Sequence, residues 1–446
     1  MGQGGYITLV NGTKYGWTKS YQHKYQMNSW SFPDKIPAGS SSTVYVEWNQ
    51  GTFHHEVDDA GEATYTLHGT GGLNFQVQAR AKNGFGLKVV LTGMETRHAP
   101  KGTTIDLGWN HDGYVTFVLA GKVDAFTVSG RPAGSWMQDN LGLLGDRTLR
   151  QICIPGSHDA GMSVLASGTG FAQECNTLTQ SAPIGTQLTY GSRYFDVRPV
   201  ISAGKFLTGH YSDVTQINSW QGGNGQSIAS IVQEVNAFTA DNKELVILRL
   251  SHDLNTDVGN TSYRPFTRSE WTDLINQLAG LNNLFFEPGN VPYDLSELRL
   301  SDLIGGHRAA VVVIVDPSST IIPGRGGQGF YTKRRFPVFD QYSNSNDVDA
   351  MAKDQLEKLD KQRPNPDSPL FLLSWTLTQN ATQASTCVLG TARSIRDLAD
   401  IANPQLYSRL LAGCSAQCYP NILYMDYVQV PDVTAMAMAV NWLSLA

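Results

Sequence analysis

Through the first third of the chain, apolar and polar residues alternate with a period of two. YITLVN, STVYVEW, EATYTLHG, LNFQVQAR, GLKVVLTG, TTIDLGW and YVTFVLAG are short runs rich in Val, Thr, Tyr and Phe, separated by Gly, Asn or Asp. Successive side chains on a strand point to opposite faces, so this pattern predicts half-buried strands. Roughly seven or eight of them at about ten-residue spacing, with no helix-period segment between, predict a β-sandwich over residues 1–135. Trp17, Trp30, Trp48 and Trp109 are expected as its core anchors. Some of these rings could instead form a lipid- or glycan-binding patch, since Trp favours apolar–polar boundaries.

The pattern changes after the segment VSGRPAGSWMQDN, which reads as a linker. QICIPGSH, SRYFDVRPV, ELVILRLSH, AAVVVIVDP, FPVFDQYS, LFLLSWTLT and NILYMDYVQV are continuous apolar runs, as strands buried on both faces require. Helix-period segments such as SIASIVQEVNAFTADN, RSEWTDLINQLAGL, DVDAMAKDQLEKLD and SIRDLADIANPQLYSRLLAG separate them. This alternation predicts a parallel sheet over 140–446, closed as a distorted TIM-type β/α barrel with one weak or irregular strand.

Composition narrows the functional classes. The chain has 446 residues, 41% hydrophobic and 16% charged, which describes a folded rather than a disordered protein. A net charge of -6 disfavours nonspecific nucleic-acid binding, which needs many Lys and Arg to displace counterions. No run approaches the ~18 apolar residues of a membrane span. The start, MGQGGYITLVNG, lacks a basic, then apolar, secretory pattern, and Tyr6 stands where a myristoylation signal has Ser or Thr. The default expectation is a cytoplasmic or peripheral membrane location. Five cysteines argue against a disulfide scaffold and leave one or two bridges open. Sequons at Asn11, Asn260 and Asn380 are short enough to arise by chance, and His54 and His55 are expected at the surface.

The chemistry lies in four segments of the second region. IPGSHDAGMS presents His158 and Asp159 after a buried run. In YFDVRPV, Asp196 and Arg198 are two apart and so share one face of a strand; a buried arginine needs a partner, and Asp196 is at hand. KFLTGHYSD offers His210, and ILYMDYV offers Asp426 near the end of the last strong strand. All fall at or beyond the C-terminal ends of strands, where barrels of this type hold active sites. His252, Trp375 and Tyr342 stand at other strand ends and are candidate substrate contacts. A loop histidine is the plainer reading of His252, and a filler of the barrel mouth an equal reading of either aromatic.

The ordered series PGSHDAGM, RYFDVRP, LTGHYSD and ELVILRLSH resembles the X-domain of phosphatidylinositol-specific phospholipases C, over residues 140–446 and most densely over 151–252. The resemblance implies a distorted β/α barrel. It implies His158 as general base oriented by Asp426, His210 as general acid assisted by Asp159, and Arg198, steadied by Asp196, as the phosphate ligand. Arg198, with Ser251 and His252 where a metal site would want an acid, points to the metal-independent branch, with neither metal nor cofactor. The implied reaction cleaves a phosphatidylinositol-type lipid at a membrane surface to a cyclic inositol phosphate and diacylglycerol. No GxSxG elbow argues for a serine lipase. Two alternatives stay open. One is a metal-dependent phosphodiesterase acting on glycerophosphodiesters or sphingomyelin; the other is a catalytically idle lipid- or glycan-binding protein. Oligomeric state is not legible.

Overall fold

The computed structural model describes residues 2–51, 55–215, 218–289, 291–316, 325–429 and 432–445. They form two compact units: 1–132 with 403–419 and 430–446, and 133–402 with 420–429.

The first unit is a β-sandwich. One sheet has five strands in the order Ala125–Val128, Tyr114–Lys122, Gln3–Thr13, Ser40–Trp48, Met27–Trp30. The other has six, in the order Lys35–Ile36, Trp17–Tyr25, Ala60–Leu67, Asn74–Arg80, Gly86–Val90, Thr104–Gly108. The period-two pattern becomes strict alternation of buried and half-buried positions along Ala60–Leu67 and Asn74–Arg80. Trp17, Trp30 and Trp48 are buried in the shared core, and Trp109 packs edge-on against Trp48. They are core anchors. Gln3–Thr13 breaks the alternation and is buried almost throughout, because the C-terminal helix Asp432–Leu443 lies with this unit and covers its outer face. Gly12 permits that approach: a Cβ there would fall 2.3 Å from the Ala439 methyl. Asn11 is fully buried and donates to the Tyr15 and Ile36 carbonyls, so its sequon marks a structural amide. His55 is exposed; His54 lies outside the described residues.

The second unit is a distorted TIM-type barrel. Its strands are β1 (Ile154–Ser157), β2 (Tyr194–Val197), β3 (Leu245–Leu250), β4 (Ala310–Val315), β5 (Phe330–Thr332), β6 (Val338–Phe339), β7 (Leu370–Trp375) and β8 (Ile422–Met425). All neighbours pair in parallel, in the order β5-β4-β3-β2-β1-β8-β7-β6. Among the described residues β5 and β6 do not pair, so the barrel stays open there. The expected weak strand is β5, too short to register as an apolar run. The covering helices begin where their caps dictate. Ser227 accepts from the Ser230 N–H at the head of Ile228–Asp241, and Thr267 with Glu270 forms a reciprocal capping box at Arg268–Leu278. Ile228, Ile231, Val235 and Phe238 form the buried stripe of the first.

Beyond Val197 the chain passes Arg198 and enters a smaller five-stranded sheet. Its order is Ser167–Gly168, Ser219–Ser227, Lys205–Val214, Pro199–Ser202, Leu254–Asn255. The long hairpin Lys205–Val214/Ser219–Ser227 therefore stands at the C-terminal end of β2. Among the described residues no helix is long and apolar enough to cross a membrane.

Candidate active site

Strand register assembles the site. Ser157 of β1 pairs with Met425 of β8, so the next residues, His158 and Asp426, emerge side by side. Asp196 of β2 pairs with Arg249 of β3, which sets a carboxylate beside a second guanidinium. His210 lies on the hairpin strand, not in a loop. Asp159 adopts a left-handed backbone, φ 39°, which turns the chain inward straight after His158.

His158 Nδ1 lies 2.6 Å from Asp426 Oδ1, and its Nε2 lies 2.7 Å from Arg198 Nη2. A guanidinium can only donate. Nε2 is therefore the acceptor, and the ring proton sits on Nδ1, donated to Asp426. This tautomer leaves a basic lone pair facing the cationic group. Burial and Arg198 oppose protonation of His158, but the carboxylates of Asp426 and Asp196 together hold its pKa above the ordinary histidine value.

Asp196 is the hub. It accepts from Arg198 Nε at 3.0 Å, from the Tyr424 hydroxyl at 2.8 Å, from the Ser251 hydroxyl, and from the Asp159 N–H at 3.3 Å. Burial would raise its pKa, but Arg198 and then His158 prevail and hold it well below the usual carboxylate range. Arg198 is likewise held protonated against burial by Asp159 and Asp196. Asp159, fully buried, ion-pairs Arg198 at 3.5 Å, and its carboxylate lies 3.2 Å from His210 Nδ1. Its two carboxylate oxygens make no hydrogen bond. One guanidinium and one carboxylate thus bridge the two imidazoles.

The other candidates divide. His252, φ 51°, contacts the Ser251 hydroxyl at 2.9 Å, and burial with Arg198 pushes its pKa down. Tyr342 is exposed, two residues from Asp340. Trp375 corrects the expectation of a substrate contact. It is 1% exposed and its indole N–H donates to the Ala402 carbonyl, so it packs outward against a helix. The barrel mouth is not where its ring goes, because residues alternate in and out along β7.

Arg249 was not expected. It pairs with Asp316 at 2.8 Å and with Asp340, and approaches the Tyr194 hydroxyl. The signal existed: it is the one cation inside the apolar run LVILRL and shares parity with Ser251. Tyr424, buried against Asp196 and edge-on to His158, carried no such signal among the other apolar residues of its strand. A disulfide joins Cys175, after β1, to Cys387, after β7.

No family model matches the chain. A 140-residue stretch, 28% of this chain, is 26% identical to a PI-PLC X-box domain-containing protein of Dictyostelium discoideum. That stretch spans only 17% of the relative's length. The barrel resembles the phosphatidylinositol-specific phospholipase C X-domain. Among solved structures, the phosphatidylinositol-specific phospholipase C of Staphylococcus aureus is 19% identical, with a TM-score of 0.49, over 70% of this chain and 98% of that one. The enzyme from Listeria monocytogenes is 17% identical, with a TM-score of 0.47 and the same coverage. In this barrel, the segments IPGSHDAG, RYFDVRP and LTGHYSD supply His158, Asp159, Asp196, Arg198 and His210.

Proposed function

We propose that this protein cleaves phosphatidylinositol-type lipids by acid–base catalysis without a metal. One observation carries the reading: His158, in the tautomer fixed by Asp426, and His210, through Asp159, converge on the guanidinium of Arg198. The phosphoryl oxygens bind Arg198 and displace its direct contact with His158. His158 Nε2 then takes the proton of the inositol hydroxyl next to the phosphoester. That oxygen attacks phosphorus, and the bond to the glycerol oxygen breaks. His210 gives its proton to the leaving alkoxide, so diacylglycerol leaves and the phosphate closes into a ring. Each proton transfer is worth ~10²–10⁴ in rate, and fixed positive charge on the phosphoryl oxygens adds to it.

Arg198 already pairs with the carboxylates of Asp159 and Asp196, which supports a guanidinium rather than a metal ion as the positive charge on the phosphoryl oxygens. Arg249 between Asp316 and Asp340, with Tyr342 close by in sequence, offers donors and acceptors suited to a polyol ring. We assign these residues to the head group.

Phosphorus NMR of the products from phosphatidylinositol vesicles, with and without EDTA, tests the proposal. A cyclic inositol phosphate formed equally in EDTA is expected. Activity lost in EDTA would point to a metal-dependent phosphodiesterase. No turnover of phosphatidylinositol, glycerophosphodiester or sphingomyelin would leave a lipid- or glycan-binding protein.

A further inference from the structure

A cavity opens in the barrel unit, and none of the residues discussed above as catalytic lines it. Its volume is about 510 Å³, within the ~300–1,000 Å³ of small-molecule sites. The small five-stranded sheet builds it. Tyr211 follows His210 on one strand, so the two side chains leave opposite faces. The cavity on the Tyr211 side is thus separated from the acid–base pair by that strand.

The lining is hydroxyl, carboxamide and aromatic, with no Lys, Arg or His. Its one carboxylate, Asp257, is fixed by the N–H groups of Ala203 at 2.7 Å and Gly204 at 2.8 Å. A cavity that holds a carboxylate and no cation disfavours phosphate and other anions. At its floor Asn224, 2% exposed, is fully committed. Its amide donates to the hydroxyls of Ser167 at 2.9 Å and Ser202 at 3.0 Å, and its oxygen accepts from the Tyr211 hydroxyl at 2.9 Å.

That network fixes the polarity of what remains. Ser167 and Ser202 accept from Asn224, so their own protons are left to donate. Tyr211 has donated its proton, so its oxygen is left to accept. The cavity therefore presents donors and acceptors side by side, as a ligand bearing neighbouring hydroxyls requires. Tyr263, edge-on to Tyr211 at 6.0 Å and close to Trp220 at 6.3 Å, supplies an aromatic wall for an apolar ring face.

We propose that this cavity binds a neutral sugar in pyranose form, with its vicinal hydroxyls on Ser202, Tyr211 and Asp257 and its C–H face on Tyr263. The site is independent of the phosphodiesterase reading and stands or falls without it.

The test is an amide NMR titration of the full-length protein with methyl α-mannopyranoside, methyl β-glucopyranoside and methyl β-galactopyranoside, with inorganic phosphate as the anionic control. At least one glycoside should give saturable shifts at Gly168, Gly170 and Gly222, where phosphate gives none. Tyr263→Ala should weaken that binding at least about tenfold and Ser202→Ala by ~5–10-fold, as loss of one hydrogen bond implies. The thermal unfolding midpoint and the amide spectrum away from the cavity should stay unchanged in both variants, which reports that they fold. No saturable shift with any glycoside at about 100 mM, equal shifts with phosphate, shifts confined to the surroundings of His158 and His210, or undiminished binding in both variants would each overturn the proposal.

Discussion

Two arginine–carboxylate pairs flank β2, and they are built oppositely. Arg193, just before the strand, pairs with Glu244, just before β3; Arg198, just after it, pairs with Asp196. Arg193 is wholly buried and gives its N–H groups to Glu244 and to the carbonyls of Leu188, Ser192, Ala133 and Gly134. Burial nevertheless prevails in that pair, pushing the Glu244 carboxyl up and the Arg193 guanidinium down. At the other end the shifts reverse, because the carboxylates of Asp159 and Asp196 hold Arg198 protonated and Arg198 in turn holds Asp196 ionised. Arg198 keeps 16% of its side chain exposed and meets Asp159 only at 3.5 Å. The lower pair is closed by neutral carbonyls and serves the fold. The upper pair is held charged and partly open to solvent, which suits the phosphate-binding role proposed for Arg198.

The sharpest way to break this comparison is to remove chemistry without structure. His158→Ala and His210→Ala should each lower kcat on phosphatidylinositol ~10²–10⁴-fold while thermal unfolding stays where it was. A loss under tenfold in either variant would sink its role. Glu244→Ala should do the reverse. An uncompensated buried guanidinium costs about 3–5 kcal/mol, read by urea denaturation, with activity per folded molecule retained. Tyr424→Phe falls between the two. It removes one donor from Asp196 and should cost about 1.5–3 kcal/mol, since hydrogen bonds to charged groups carry that much. No change in the denaturation midpoint would mean that the hub does not need its full set of donors.

The same contrast explains what was legible beforehand. Period-two runs and continuous apolar runs located the sandwich and seven of the eight barrel strands, because burial on one face or two writes itself into local pattern. Phe330–Thr332 escaped because three residues carry no period. The grouping of His158, Asp196 and Arg198 was readable because polar residues stand out at the ends of apolar runs, whereas His210 lies within a hairpin strand. Trp375 misled because a strand-end position does not say which way a side chain points. Tyr424 and the Asn224 network were invisible, since their meaning lies in partners hundreds or tens of residues away. The helix Asp432–Leu443 follows the last barrel strand yet covers Gln3–Thr13, a pairing that no local pattern encodes.

The smallest expected effect discriminates most finely, because it moves a pH rather than a rate. A general base must be neutral, so kcat/KM should rise with pH through the pKa of His158, which Asp426 holds above the ordinary ~6.5. Asp426→Asn removes the chief group raising it, and burial then prevails, so the acidic limb should move to lower pH. Stability follows the same linkage. A group whose pKa is raised on folding contributes fully below its unfolded value and loses that contribution as pH rises through the folded one. The parent should therefore lose some stability across that window above pH ~6.5, and Asp426→Asn should not. If the variant kept both the limb and the stability decline of the parent, Asp426 would be a strand-end carboxylate like any other, and the tautomer of His158 would need a different keeper.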